Sequence, residues 1–208
     1  MNVFVSVGSG LSTQQNQVVE ALEDQLRRMG LTPHTVNRND DFRASAPLDA
    51  VTEMMDSCAG VVVVALERFY FARGLERPGS DEQQELRSVR LPTPWNQIEA
   101  AMGHSRGLPV LVIIDKRVRK DGLLTMSNNW YVHEIDVETE SFSTAQSIGI
   151  LRDWHKKLEV RKPARVTNPA TLTLRDLFVG LKPAQLWTLG GAIVVVLSAA
   201  FSVGRFFG

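Results

Sequence analysis

The sequence lacks several features that would assign it to well-known classes of protein. Cys58 is its only cysteine, so a disulfide framework is excluded and a reducing compartment is favoured. Basic and acidic residues balance at 23 each, which leaves no overall field to attract nucleic acid. We therefore expect partners to be recognised by local features, and no nucleic-acid partner.

Signatures of catalysis or metal binding that can be recognised from spacing alone are also missing. The chain contains no P-loop, no nucleophile elbow and no Cys-His pair. None of its histidines has a ligand-like spacing: His34, His104, His133 and His155. We expect no metal site and no resident cofactor. The N-terminal segment has neither a basic n-region nor a long apolar run, so residues 2–7 are interpreted as a first strand and not as an export signal.

One long uncharged run is present, from Pro183 to Gly204. A helix of this length would extend about 33 Å, close to the hydrocarbon thickness of a bilayer. The sequence therefore predicts a transmembrane helix over residues 183–206. Residues 161–182 are predicted to form a linker and a juxtamembrane amphipathic segment, and residues 1–160 a separate domain.

Basic residues flank this run mainly on its N-terminal side. The positive-inside rule then predicts a single-pass protein of the inner (cell) membrane, with the N-terminal domain in the cytoplasm and the bilayer as a partner. Ser198 with Ser202, and Ala200 with Gly204, have the spacing that lets two membrane helices approach closely. Self-association through this face is left open.

Strand and helix signals alternate along residues 1–160. Strands are predicted at residues 2–7, 31–36, 60–66, 108–115 and 130–135, each apolar enough to be buried. Ser12 with Gln15, Pro47, Thr93 with Pro94, and Ser143 mark helix starts between them. The charged stretch 76–90 is interpreted as an exposed loop with some helix. The prediction is an α/β fold, a flavodoxin-like parallel five-stranded sheet with helices on both faces.

The stretch that begins Thr93-Pro-Trp95-Asn-Gln-Ile-Glu99 resembles the third helix of TIR domains, in which a Ser/Thr-x-Trp-x-x-x-Glu motif precedes an apolar helix. The following Gly107-Leu-Pro turn and isoleucine-rich strand are also similar, and Val3-Phe4-Val5-Ser6 resembles the TIR first strand. The resemblance covers about residues 1–160 and implies a TIR-type sheet. A fainter similarity is to nucleoside deoxyribosyltransferases.

In TIR domains that cleave NAD, the glutamate of this helix is catalytic, so the resemblance implies that role for Glu99. A carboxylate suits the reaction because positive charge develops on the ribose as the bond to nicotinamide breaks. The alternative is an ordinary helical glutamate that gains only from the helix dipole. Trp95 either supports the start of the helix by packing or contacts the ligand.

Ligands of parallel sheets bind beyond the carboxyl ends of the strands. The glycine-rich loop after the first strand, Gly8-Ser9-Gly10, permits close backbone approach, and free N–H groups before the helix at Ser12 could hold a phosphate; the alternative is a plain flexible turn. The loop lacks the aromatic and basic residues that TIR enzymes often have there. Arg38, in the loop after the second predicted strand, is a candidate phosphate contact. Phe69 follows the third predicted strand and is positioned to stack on a base or to cover a strand end. The residues expected to bind a ligand are Ser6, Gly8, Ser9, Gly10, Arg38, Phe69 and Trp95.

Taken together, these features predict a membrane-anchored, TIR-like effector of a bacterial antiviral defence system that is activated by clustering. NAD or a related nucleotide would be its substrate, and a homo-oligomer its active form. The alternative is a non-catalytic sensor, in which a nucleotide second messenger drives oligomerisation of the membrane helix. A third possibility is an adaptor that works only by contact between TIR domains.

Overall fold

A computed structural model describes residues 1–36, 47–126 and 130–160. Its strands are β1 (Asn2–Val7), β2 (Thr32–His34), β3 (Val61–Ala65), β4 (Phe69–Glu76), β5 (Gln84–Leu91), β6 (Val110–Asp115) and β7 (Tyr131–Ile135). Its helices are α1 (Thr13–Arg28), α2 (Pro47–Asp56), α3 (Pro94–Ser105) and α4 (Ala145–Val160), and a short 3₁₀ helix spans Gly122–Leu124.

Five of the strands form the predicted parallel sheet, in the order β2-β1-β3-β6-β7. Strand β3 is the continuous apolar run Val61–Ala65, and all five of its residues are buried. Such runs form strands that are covered on both faces, because neither set of alternating side chains meets water. The five-stranded flavodoxin-like sheet predicted from the sequence is confirmed.

Alternate residues of the strands pack into two separate hydrophobic layers. Val62, with its neighbours on the same face, packs with buried residues of α1 and α4 such as Leu22 and Leu151. Val61 and Val63 lie in the other layer, with residues of α2 such as Met54. Helices therefore cover both faces of the sheet, as the pattern of buried strands requires.

Helix α3 lies unusually close to the sheet. A Cβ atom on Gly103 would come within 2.7 Å of Cγ2 of Val61, a distance that real side chains do not adopt. The glycine therefore permits the helix to contact β3 directly. Asn96, Glu99, Ala100 and Gly103 form its buried stripe, so two polar side chains of α3 point to the inside of the domain.

The interpretation of residues 76–90 as a loop with some helix is wrong. Strands β4 and β5 form an antiparallel hairpin, from the Phe69 and Leu91 pair to the Glu76 and Gln84 pair. Most of its side chains are exposed on both faces, which explains why its strands carry charge and give no buried-strand signal. The hairpin is a second sheet that the predicted fold class did not contain.

The membrane part of the predicted fold class also requires correction. Among residues 1–36, 47–126 and 130–160, no helix is long and apolar enough to cross a bilayer. The longest helices, α1 and α4, have 16 residues each and carry polar faces. The predicted transmembrane segment 183–206 and the predicted linker 161–182 lie outside the described residues, and the membrane localisation inferred from them stays a sequence prediction.

Candidate active site

A cleft of about 610 Å³ opens at the carboxyl end of the parallel sheet. Strands β2 and β3 lie on opposite sides of β1. The connections that follow β1 and β3 therefore run in opposite directions, and a crevice forms between them at the carboxyl ends of the strands. Residues from the ends of β1 and β2, from the segment after β3 and from α3 line the cleft. Among them are Val7 to Leu11, Thr35, Val36, Arg68, Thr93, Trp95 and Glu99.

The start of α3 places its side chains at this cleft. The Thr93 hydroxyl accepts a hydrogen bond from the Trp95 backbone N–H at 3.4 Å, and Pro94 occupies the first turn, as the sequence predicted. Glu99 lies farther along the same helix and is 8% exposed. Its carboxyl group is thus a buried group at the wall of an open cleft.

Burial changes the protonation of Glu99. Removal of the carboxyl group from water raises its pKa from 4.5 to about 7, and a side-chain hydrogen bond with Ser6 acts in the opposite direction. The group therefore exchanges its proton near neutral pH. Carboxyl groups with such pKa values in clefts are typical of functional sites, whereas an ordinary surface glutamate is solvated.

Asn96 shares the contact with Ser6 that Glu99 makes, and it was not predicted from the sequence. Its Nδ2 donates to the Ser6 hydroxyl oxygen at 3.0 Å and to the carbonyl oxygens of Ser6 and Val64 at 3.4 Å each. The two carbonyl acceptors fix the orientation of the amide, since a carbonyl can only accept. With its oxygen occupied by Asn96, the Ser6 hydroxyl has its own proton available for Glu99.

The Asn96 amide also has an unsatisfied end. Its Oδ1 is buried and has no hydrogen-bond partner among the described residues. A buried acceptor without a partner costs free energy, on the order of 1–3 kcal/mol. Asn96 does not line the cleft itself, but it lies one turn from Glu99, which does. An unsatisfied buried acceptor so close to a buried carboxyl group is typical of functional sites and not of an optimised core.

The glycine-rich loop lies in the cleft as predicted, since Gly8, Ser9 and Gly10 all line it. Gly10 has a φ of +69°, a conformation that other residues adopt only with strain. The N-terminus of α1 is less available than the sequence suggested. Ser12 N–H donates to Gln15 Oε1 at 2.9 Å and Gln15 N–H to Ser12 Oγ at 3.2 Å, so the capping box uses these donors itself.

The other predicted ligand-binding residues are placed differently. Trp95 lines the cleft and is 37% exposed, so it is not a core packing residue. Phe69 does not line it; its ring stacks on Phe71 at the start of the hairpin, with the ring centroids 6.5 Å apart. Arg38 lies outside the described residues. Ser6 does not line the cleft; it is 1% exposed and contacts Glu99 and Asn96.

Arg68 also lines the cleft, although it was not among the residues predicted to bind a ligand. It follows β3, and its guanidinium Nη1 donates to the carbonyl oxygen of Ser9. Its backbone N–H donates to the Leu91 carbonyl oxygen at 2.9 Å, while Gln15 Nε2 donates to the Glu67 carbonyl oxygen at 2.9 Å. These bonds hold a cation beside the glycine-rich loop.

In the part of the chain that the structure describes, no group of three His, Cys, Asp or Glu side chains is placed to hold a metal ion.

The fold and the site together define an α/β domain with a buried, proton-exchanging carboxyl group in a cleft at the strand ends. No protein-family model and no curated protein matches the chain.

Several solved structures are similar to it at low sequence identity. A CMP N-glycosidase of Clostridium botulinum, BcmB, is 15% identical over 77% of this chain and 98% of its own, with a TM-score of 0.40. The NAD(P)H:(acceptor) oxidoreductase FerB of Paracoccus denitrificans is 14% identical over 76% and 97%, with a TM-score of 0.42. The TIR domains of the activated Roq1 resistosome are 14% identical over 92% and 98%, with a TM-score of 0.36. TIR domains are thus among the similar structures, but similarity at this level assigns the chain to no family.

Proposed function

We propose that the chain cleaves the N-glycosidic bond of NAD or a related nucleotide, with Glu99 as the catalytic carboxylate. The observation that carries the proposal is the position of Glu99, 8% exposed at the wall of a cleft of about 610 Å³. Pockets for small ligands typically have volumes of roughly 300–1,000 Å³, so a nucleotide is of suitable size.

The reaction requires an anion beside the ribose. The bond between C1′ and the nicotinamide nitrogen breaks, and its electron pair goes to the nitrogen. Positive charge develops on C1′ and the ring oxygen, and ionised Glu99 stabilises this charge or attacks C1′. Water supplies the new oxygen, so the products are nicotinamide, ADP-ribose and a proton. Because the nicotinamide of NAD is cationic, it leaves without a general acid.

Burial of Glu99 strengthens this electrostatic effect. A charge acts more strongly on its neighbour where water is excluded, which is the same condition that raises the pKa of the Glu99 carboxyl group to about 7. A cationic nicotinamide ring favours the ionised form of Glu99 in the complex. Substrate binding therefore produces the charge state that the bond cleavage needs.

Ser6 and Asn96 are positioning residues in this scheme. Asn96 Nδ2 occupies the Ser6 oxygen, so the hydroxyl proton is directed to Glu99 and holds the carboxylate in one orientation. Trp95 is 37% exposed at the cleft, where its ring can stack on nicotinamide or on a base.

The proposal is tested by incubation of the 208-residue chain with NAD, followed by chromatography to measure nicotinamide. We expect release by the wild type and a loss of at least about 100-fold in Glu99→Gln, which keeps the shape but not the charge. Glu20→Gln is the matched control, because Glu20 is an exposed carboxylate on α1 away from the cleft. Equal rates in Glu99→Gln and the wild type would refute the assignment.

The same experiment separates the alternative of a sensor that binds a nucleotide without turnover. Nucleotide binding by the wild type with no nicotinamide release at high protein concentration would favour the sensor. Self-association and an antiviral role, both predicted from the sequence, remain proposals. Self-association is tested by comparing nicotinamide release per subunit across protein concentrations, since clustering predicts a rate that rises with concentration. The antiviral role is tested by phage infection of cells that express the wild type or Glu99→Gln, and equal phage yields would contradict it.

A further inference from the structure

We propose that the cleft selects ligands that carry a phosphate group, and that Arg68 with the Ser9-Gly10 backbone is the phosphate-binding element. The inference rests on the proposed function for the identity of the ligand, but it concerns residues of the cleft other than Glu99. It adds Arg68 to the glycine-rich loop that the sequence predicted to approach a phosphate. Arg38, the other predicted phosphate contact, lies outside the described residues and stays a sequence prediction.

The charges of the cleft support this assignment. Among the described residues that line it, Arg68 is the one cation and Glu99 the one carboxylate. A nucleotide whose glycosidic bond lies at Glu99 would have its anionic phosphate attracted to Arg68 and repelled by Glu99. The two side chains thus favour one direction of binding, with the base at Glu99 and the phosphate at the glycine-rich loop.

Most of the N–H donors of the Arg68 guanidinium are available to bind a phosphate. A guanidinium carries five N–H donors in a planar fork that matches phosphate oxygens. One nitrogen of Arg68 donates to the Ser9 carbonyl, and no carboxylate among the described residues forms an ion pair with it. Its neighbour Glu67, in contrast, is paired with Arg90 at 2.8 Å. The remaining N–H groups of Arg68 are therefore not used for an internal salt bridge.

The loop contributes backbone donors at the same place. Ser9 and Gly10 line the cleft, and within the described residues their backbone N–H groups donate to no protein acceptor. A Cβ on Gly10 would stand 3.0 Å from Nη1 of Arg68, so glycine leaves room for the guanidinium against the backbone. Successive N–H groups in such a turn are well suited to bind an anion.

The experiment compares two probes that differ only in the phosphate, nicotinamide mononucleotide and nicotinamide riboside. Dissociation constants are measured by isothermal titration calorimetry in the Glu99→Gln background, which prevents turnover. We expect the phosphorylated probe to bind about 10- to 100-fold more tightly, the range for charge-assisted hydrogen bonds. Arg68→Gln should remove this preference and leave the affinity for the riboside unchanged.

Arg73→Gln is the control, because Arg73 is an exposed arginine of strand β4, which follows Arg68, and does not line the cleft. It should keep the full preference, and thermal unfolding checks that both variants are folded. The proposal is overturned if Arg68→Gln keeps the preference, if the parent shows none, or if the phosphorylated probe does not bind. A phosphate preference without nicotinamide release by the wild type would refute the proposed reaction and support this inference.

Discussion

Replacement of Glu99 by glutamine should stabilise the protein in a strongly pH-dependent manner. The pKa of this carboxyl group is about 7 in the folded state against 4.5 for an unperturbed glutamate. Between these values the folded state holds a proton that the unfolded state has lost. The free energy of unfolding therefore falls as pH rises from about 4.5 and reaches its full deficit above about 7.

The two pKa values determine the size of the effect. Their separation, about 2.5 pH units, corresponds to about 3 kcal/mol at pH 8.5, at about 1.4 kcal/mol per unit. A neutral glutamine keeps the shape of the protonated side chain and avoids the free-energy cost of a buried charge. Glu99→Gln should thus be about 3 kcal/mol more stable than the wild type at pH 8.5 and within about 0.5 kcal/mol of it at pH 4.5.

Urea unfolding followed by circular dichroism at several pH values between 4.5 and 8.5 measures this difference. Glu20→Gln, which removes an exposed carboxylate of α1, controls for the loss of one negative charge and should stay within about 0.5 kcal/mol throughout. A Glu99→Gln protein that is less stable than the wild type at pH 8.5, or a difference independent of pH, would show that the carboxyl group is not buried as described.

Three further predictions concern the residues around Glu99 and the loop. Asn96→Ala should lower the free energy of unfolding by about 1–3 kcal/mol, because it removes buried hydrogen bonds to Ser6 and Val64, and it should also slow nicotinamide release. An unchanged urea midpoint and rate would contradict this. Ser6→Ala removes the contact that lowers the pKa of Glu99, so the midpoint of the pH-rate profile should move upward, and a downward shift would refute the contact. Gly10→Ala should cost about 1 kcal/mol in thermal or urea unfolding because of the φ of +69°, and no loss of stability would show that the loop adopts another conformation.

The sequence predicted those parts of the fold that are buried in a regular way. The run Val61–Ala65 is apolar without interruption, and Ser12 with Gln15 carries its own capping signal, so both could be recognised locally. The hairpin of β4 and β5 could not be recognised from burial, because both of its faces are largely exposed. The alternation of Phe69, Phe71 and Leu75 with smaller or polar residues is the signal that was available for it.

The residues of the candidate site could be predicted only at positions that a motif specifies. The Trp95 and Glu99 spacing identified the carboxylate, but Asn96 lies between them at a position that no motif specifies. Asn96 is buried because it lies on the same side of α3 as Glu99 and Gly103. A search for apolar residues alone does not identify this buried side, because two of its residues are polar. The hydrogen bond between Arg68 and Ser9 joins residues 59 positions apart, a contact that sequence spacing does not encode.

The pH dependence of nicotinamide release from NAD tests the central claim most directly, because it asks whether an ionised buried carboxylate carries the reaction. With the pKa of free Glu99 at about 7, kcat/KM should rise about tenfold per pH unit below 7 and become constant above it. The rate should lose this dependence in Glu99→Gln. A wild-type profile that is flat across pH 7, or that falls as pH rises, would contradict the account.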